Sequence, residues 1–281
     1  MECQRAPQIL LIEGIQGAGK STLAKAMARE LRTSYPDARI YLRSSKPNPI
    51  DVCRLARFSP EEYWQFCAIV TEECGCSVAQ VSVALTPYAA MEDGQIYVNW
   101  YDALSRLEVQ LPRAMAYALE HELCDGKAGR ERYQAVTRNR WARFAEHIDP
   151  RGIYLFEGVL FQHPLAELMG YYQLCDGEIE AYLNSLLICL RDISVQLYYL
   201  SVANIGAVLS AAAAQRQEES YDWLKGFVKL AATCPYGVRH GLSGLDGAIR
   251  YCTERVRIET KLLKKLDIPV TVIARDETKG R

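Results

Sequence analysis

The chain has 281 residues, 24% of them charged and 49% hydrophobic, with a formal net charge of −1 and a pI near 6.5. This is an ordinary globular composition, with apolar material for one large core or two smaller ones. It excludes a global field that would draw in nucleic acid or anionic lipid, and no run of about 18 uncharged apolar residues offers a membrane-spanning helix.

The amino-terminal MECQRAPQILL reaches its first strand too soon to hold a signal peptide, so the expected location is cytoplasmic, with no nucleic-acid or membrane partner. The ten cysteines are scattered, most within apolar segments such as Leu186 to Leu190, and read as small buried hydrophobes. Cys74 and Cys76 form a CxC pair, but no second pair stands at zinc-like spacing.

Strands and helices alternate along the chain. Gln8 to Glu13 is a short apolar run that fits a buried parallel strand, and Lys20 to Arg32 has the Ala, Leu, Lys and Arg content of a helix. Ala38 to Arg43 reads as a second strand. Ser59-Pro-Glu-Glu supplies an N-cap, a first-position proline and early acids, so a helix starts there. Cys74 to Tyr101 is the least regular stretch, with a small strand expected at Gln95 to Asn99. Amphipathic spacing predicts helices over Ser105 to His121 and Gly129 to His147. Gly152 to Gly158 (GIYLFEG) is another buried strand that ends in a carboxylate. Helices are expected over Gly177 to Arg191, Ala203 to Glu219, Tyr221 to Thr233 and Ala248 to Leu266. Residues 234–247 read as a glycine-rich loop. Ser194 to Leu200 and Pro269 to Ala274 complete five core strands.

This order predicts an α/β chain with a doubly wound, mostly parallel five-stranded sheet. Residues 1–281 read as a single domain. Residues 52–150 are expected to form a helical or irregular insert beside the sheet on the acceptor side, and 203–247 a lid region.

Gly14-Ile-Gln-Gly-Ala-Gly-Lys20-Ser21 matches GxxxxGK[ST], the Walker A pattern, between an apolar strand and a helix. Its glycines admit positive φ and let backbone N–H groups approach a phosphate, while the following helix start offers unpaired donors. The cofactor-binding set is therefore Gly14, Gln16, Gly17, Ala18, Gly19, Lys20, Ser21 and Thr22. Lys20 is expected to reach the β- and γ-phosphates of ATP, Ser21 to ligate Mg²⁺, and Thr22 to touch the α-phosphate.

The loop and the strand–helix order resemble those of P-loop kinases of nucleosides, nucleotides and other small molecules. The whole chain resembles a bacterial P-loop group related to thymidylate kinase-like proteins. The resemblance implies a P-loop NTPase fold and a phosphotransferase that uses ATP and Mg²⁺, with a nucleoside triphosphate and a small-molecule acceptor as partners and a homodimer left open. A nucleotide-dependent switch or regulatory ATPase with a protein partner is the alternative.

The NKxD motif of switch GTPases is absent, and Leu242-Ser-Gly-Leu-Asp-Gly247 only imitates an ABC signature in a short loop. Glu157, at the end of the third core strand, is expected to bind metal or receive a proton. Related kinases often follow this acid with arginine. Gly158 stands there instead, which leaves the accessory arginine unplaced. By position Arg216 is the lid candidate and the third catalytic residue beside Lys20 and Glu157. Arg43 and Lys46 make the end of the second strand basic, and Asp51 lies past two prolines from the place where related kinases hold a general base. Tyr88, Tyr97, Trp100 and Tyr101 read as core aromatics before acceptor-stacking ones. Arg138, Arg140 and Arg143 read as a solvated helix face, and His163 as incidental.

Overall fold

The computed structural model describes residues 9–42, 48–215 and 223–275. Strand β1 (Ile9–Gly14) is buried along its whole length and leads into helix α1 (Lys20–Ser34) and strand β2 (Arg39–Tyr41). After β3 (Leu55–Phe58), helix α2 (Pro60–Cys74) starts on a capping box between Ser59 and Glu62 and stops at Gly75, whose φ is 66°. A second capping box, Ser77 with Gln80, starts α3 (Val78–Leu85).

Strands β4 (Ala89–Glu92) and β5 (Gln95–Asn99) form a hairpin through Asp93-Gly94. Both turn residues have positive φ, 49° and 71°, as a two-residue turn of this hand requires. Helices α4 (Trp100–Ser105), α5 (Pro112–Glu120) and α6 (Arg130–Glu146) follow. Strand β6 (Tyr154–Glu157) leads into the short α7 (Gln162–Leu165), which widens into a π-helical turn over Ala166–Tyr171. The remaining elements are α8 (Asp176–Ile188), β7 (Val195–Ser201), α9 (Ile205–Gln215), α10 (Trp223–Thr233), α11 (Pro235–Arg239), α12 (Gly244–Leu263) and β8 (Val270–Ala274).

Five strands form one sheet in the order β2-β6-β1-β7-β8, with every pairing parallel. The architecture is α/β, with this sheet flanked by helices and compatible with a doubly wound fold. The register sets Ile12 opposite Glu157, Glu13 opposite Tyr199 and Gly14 opposite Leu200. A core of Leu10, Ile12, Leu155, Ala24 and Val208 packs on one side of it. A smaller antiparallel sheet, β3-β5-β4, packs Ala56, Phe58 and Val98 with Phe66, Val70, Leu111 and Ala114.

The described residues of 1–45 and 138–281 make one compact unit, and those of 46–137 a second. The segment expected as a helical or irregular insert over 52–150 contains a full three-stranded sheet and helix α3, and residues 138–150 belong to the unit of the larger sheet. The helix expected over Ser105 to His121 is shorter, α5 from Pro112 to Glu120: residues 106–111 are turn and loop after α4 ends at Ser105, and Pro112 opens the helix as its first residue, since it cannot donate the N–H that a helix running into it from Ser105 would need. The stretch 234–247 holds α11 and the start of α12 rather than a continuous loop. Among the described residues, no single helix is long and apolar enough to cross a membrane. Nine cysteines are described as free thiols; Cys124, Cys234 and Cys252 are buried, and Cys175 is exposed.

Candidate functional site

Three glycines shape the turn between β1 and α1, each for its own reason. A Cβ on Gly14 would stand 2.7 Å from the Leu200 carbonyl oxygen of β7, in a backbone already at φ 139°. At Gly17, with φ 82°, it would stand 2.9 Å from the Ala212 Cβ of α9. Gly19 enters the helix in the left-handed region, with φ 95°. Having no side chain, Gly19 leaves the first amides of α1 uncapped by their own N-cap residue, and partial positive charge collects there. Inside the turn the Ala18 amide donates to the Ile15 carbonyl at 3.2 Å.

Lys20 is buried, and its ammonium donates to the carbonyl oxygens of Gly14 at 2.9 Å and Ile15 at 2.7 Å. The Ser21 hydroxyl donates to Glu157 Oε1 at 2.6 Å. That contact joins residues 136 apart in the chain and exists because β6 lies beside β1 in the sheet. Gln16 is half-buried, Ala18 buried and Thr22 exposed.

Other buried polar groups surround the loop. Glu13, the residue before Gly14, is fully buried; its carboxylate accepts from the Leu160 amide at 2.6 Å and the Gln162 amide at 3.2 Å. Those bonds fasten the turn that leaves Glu157 through Gly158 at φ 75°. Burial pushes the Glu13 carboxyl up to about 7, against the opposing pull of the Leu160 amide, Lys20 and the Phe161 amide.

From α12, the fully buried Arg255 donates to the Gln16 side-chain oxygen at 2.7 Å and to Glu259 at 2.6 Å. The other Glu259 oxygen accepts from the Tyr199 hydroxyl at 2.8 Å, and burial followed by the neighbouring Glu259 raises that hydroxyl's pKa. Arg275, just past β8, donates to the Gly17 carbonyl.

Of the residues selected from the sequence, Lys20, Ser21 and Glu157 thus come together with the loop. Arg216, Arg43 and Lys46 lie outside the described residues. Asp51 accepts from the Cys53 amide at 3.0 Å in a local turn. Tyr97 and Trp100 are buried, Tyr88 accepts from Arg106 Nε at 2.7 Å, and Tyr101 lies under the Arg54 guanidinium at 4.0 Å. In the second unit, Arg57, Glu62, His121, Glu122, Lys127 and Arg132 line a cleft of mixed sign.

Glu13, Tyr199, Arg255, Glu259 and Arg275 were missed in the sequence. Glu13 had a signal, a lone acid inside an apolar strand. Arg255 and Glu259 had none, since Arg and Glu four apart on a helix read as a solvated pair.

Ser21 and Glu157 supply a hydroxyl and a carboxylate, the hard oxygen donors that suit Mg²⁺. Among the described residues no group of three or more His, Cys, Asp or Glu side chains is placed to hold a metal. A Mg²⁺ ion fits this poor protein donor set, because it commonly keeps waters and takes phosphate oxygens for its remaining positions. No protein-family model matches the chain, and neither curated proteins nor solved structures give a significant match.

Proposed function

We propose that the chain transfers the γ-phosphoryl group of a nucleoside triphosphate, ATP in the first instance, to a small-molecule acceptor, in the manner of P-loop nucleoside and nucleotide kinases. The observation that carries this reading is the 2.6 Å hydrogen bond from Ser21 to Glu157. Phosphoryl transfer on such a loop needs a hydroxyl at the helix start and a carboxylate on a neighbouring strand, and these two meet at the glycine turn.

The triphosphate lies against the loop amides and the start of α1. Lys20 exchanges its two carbonyl partners for phosphate oxygens and stabilises charge on the transferring group. Ser21 and Glu157 would hold Mg²⁺, and the ion would supply positive charge to offset that of the phosphate oxygens. Glu157 also orients the attacking acceptor.

Calorimetric titration with ATP and GTP in the presence of Mg²⁺, followed by turnover against a panel of nucleosides, nucleotides and other small hydroxyl compounds, tests the reading. The expected outcome is binding, and nucleotide consumption that requires one acceptor. Failure of both nucleotides to bind at millimolar concentration overturns it. Slow acceptor-independent hydrolysis that rises with a protein partner replaces it with a regulatory ATPase.

A further inference from the structure

A fully buried arginine beneath the glycine turn has no role in the scheme above. Arg255 is 0% exposed, and its Nε has no hydrogen-bond partner among the described residues. Burying a guanidinium is costly unless it is paired, and Glu259, also 0% exposed, pairs it at 2.6 Å. Tyr199 then holds Glu259 by its second oxygen.

The Arg255–Glu259 pair is formally neutral, so it adds little charge at the loop. What it adds is geometry. One arm of a planar fork faces Glu259, and the other meets the Gln16 side-chain oxygen at 2.7 Å. An amide whose oxygen is committed has its nitrogen, with two N–H donors, on the other side of the group. Gln16 sits within the Gly14–Ser21 turn, where a donor of that kind supplements the backbone amides.

We infer that Arg255 is a positioning residue which, braced by Glu259 and Tyr199, sets the Gln16 amide so that its N–H donors meet an oxygen of the nucleotide's phosphate chain. The inference rests on the phosphate-binding reading of the loop. It gives α12, more than two hundred residues from the loop in sequence, a direct hand in ligand binding. Because Gln16 is half-buried while Arg255 is fully buried, the contact can be altered from the loop side with the buried pair left intact.

The test measures binding of MgATP and of magnesium tripolyphosphate, a probe with phosphates and no base, to the full chain and to four variants. Gln16→Glu keeps an oxygen acceptor for Arg255 but has no N–H donor. It is expected to keep the thermal midpoint of the parent and to bind both probes about ten- to a hundredfold more weakly, because it loses a hydrogen bond to a charged group and also sets a carboxylate against the phosphates, whereas Gln16→Leu loses the bond alone. Gln16→Leu is expected to weaken both probes about tenfold. Arg255→Met in the Gln16→Leu background is expected to add little further loss, since the arginine acts through the amide. Arg255→Lys, a point charge that cannot serve both partners as a fork, is expected to fall between parent and Gln16→Leu.

Parent-like binding by Gln16→Glu overturns this inference and leaves the proposed function standing. A further loss of about tenfold or more in the double variant relative to Gln16→Leu also overturns it. A parent chain that binds neither probe overturns both.

Discussion

The two compact units bury different things. The unit of residues 46–137 has a core of aromatic and aliphatic side chains, Phe58, Phe66, Val70, Val98 and Leu111, on a small antiparallel sheet. The unit of the parallel sheet has an apolar core as well. Next to it, at one end of β1, β6 and β7, are Glu13, Lys20, Glu157, Arg255 and Glu259, each at most 4% exposed. Buried charge is costly, and a core needs none of it. Its concentration at one sheet edge, around a turn shaped by glycines at positive φ, is what the packing of a core does not account for and what the proposed function would use.

The sharpest way to break that contrast is Lys20→Ala. It is expected to lower turnover and MgATP affinity by on the order of a hundredfold or more while circular dichroism remains that of the parent. An unchanged rate would make the buried lysine a structural feature. Glu157→Gln is expected to lower turnover with nucleotide binding largely kept, seen as a fall in kcat larger than any change in KM.

Truncating the two cores tests the packing side. Phe66→Ala in the second unit and Trp141→Ala in the sheet unit, both 0% exposed, are each expected to cost about 3–5 kcal/mol by denaturant titration.

The two units also share one device. Glu13 in one and Glu122 in the other have carboxyls pushed up to about 7, in both cases chiefly by burial. Each binds a proton in the folded chain at pH values where the unfolded chain has released it, between about 4.5 and 7. Stability is therefore expected to fall as pH rises through that window, with the full cost present above it. Glu122→Gln should flatten the dependence of the thermal midpoint on pH, and an unchanged slope would remove Glu122 from it.

The smallest expected effect is at the surface. Asp176 of α8 is held below the usual carboxylate range by Arg257 at 2.7 Å and then by Lys261 at 2.9 Å, both half exposed. Its contribution is present above about pH 4 and lost as pH falls below that. Asp176→Asn should cost no more than about 1 kcal/mol at neutral pH, and less in high salt.

Much of the larger unit was legible in the sequence, because its signals are local. All five core strands were readable, β1 and β6 most plainly, since a parallel strand covered on both faces is apolar at nearly every position, while the edge strands β2 and β8 are only partly buried. The helix from Lys20 was readable because its signal is local, as was the Ser59 cap in the second unit. The second unit was harder. Leu55–Phe58 is only four residues long, and the β4–β5 hairpin carried an Asp-Gly turn that was overlooked beside a short and irregular pattern. Short antiparallel strands depend on their neighbours, and neighbours are not written in a window of residues.

At the candidate site the division is equally physical. The order of residues determined by itself that a glycine turn lies between a buried strand and a helix, that Lys20 and Ser21 follow it, and that an acid ends a later strand. Only the tertiary structure decided that Ser21 meets Glu157, that Glu13 fastens the turn beyond it, and that Arg255 reaches Gln16 across 239 positions. Spacing along a chain encodes the local conformation of a turn. Which distant side chain shares a buried volume with it is set by strand order and helix packing, and these arise only when the whole core condenses.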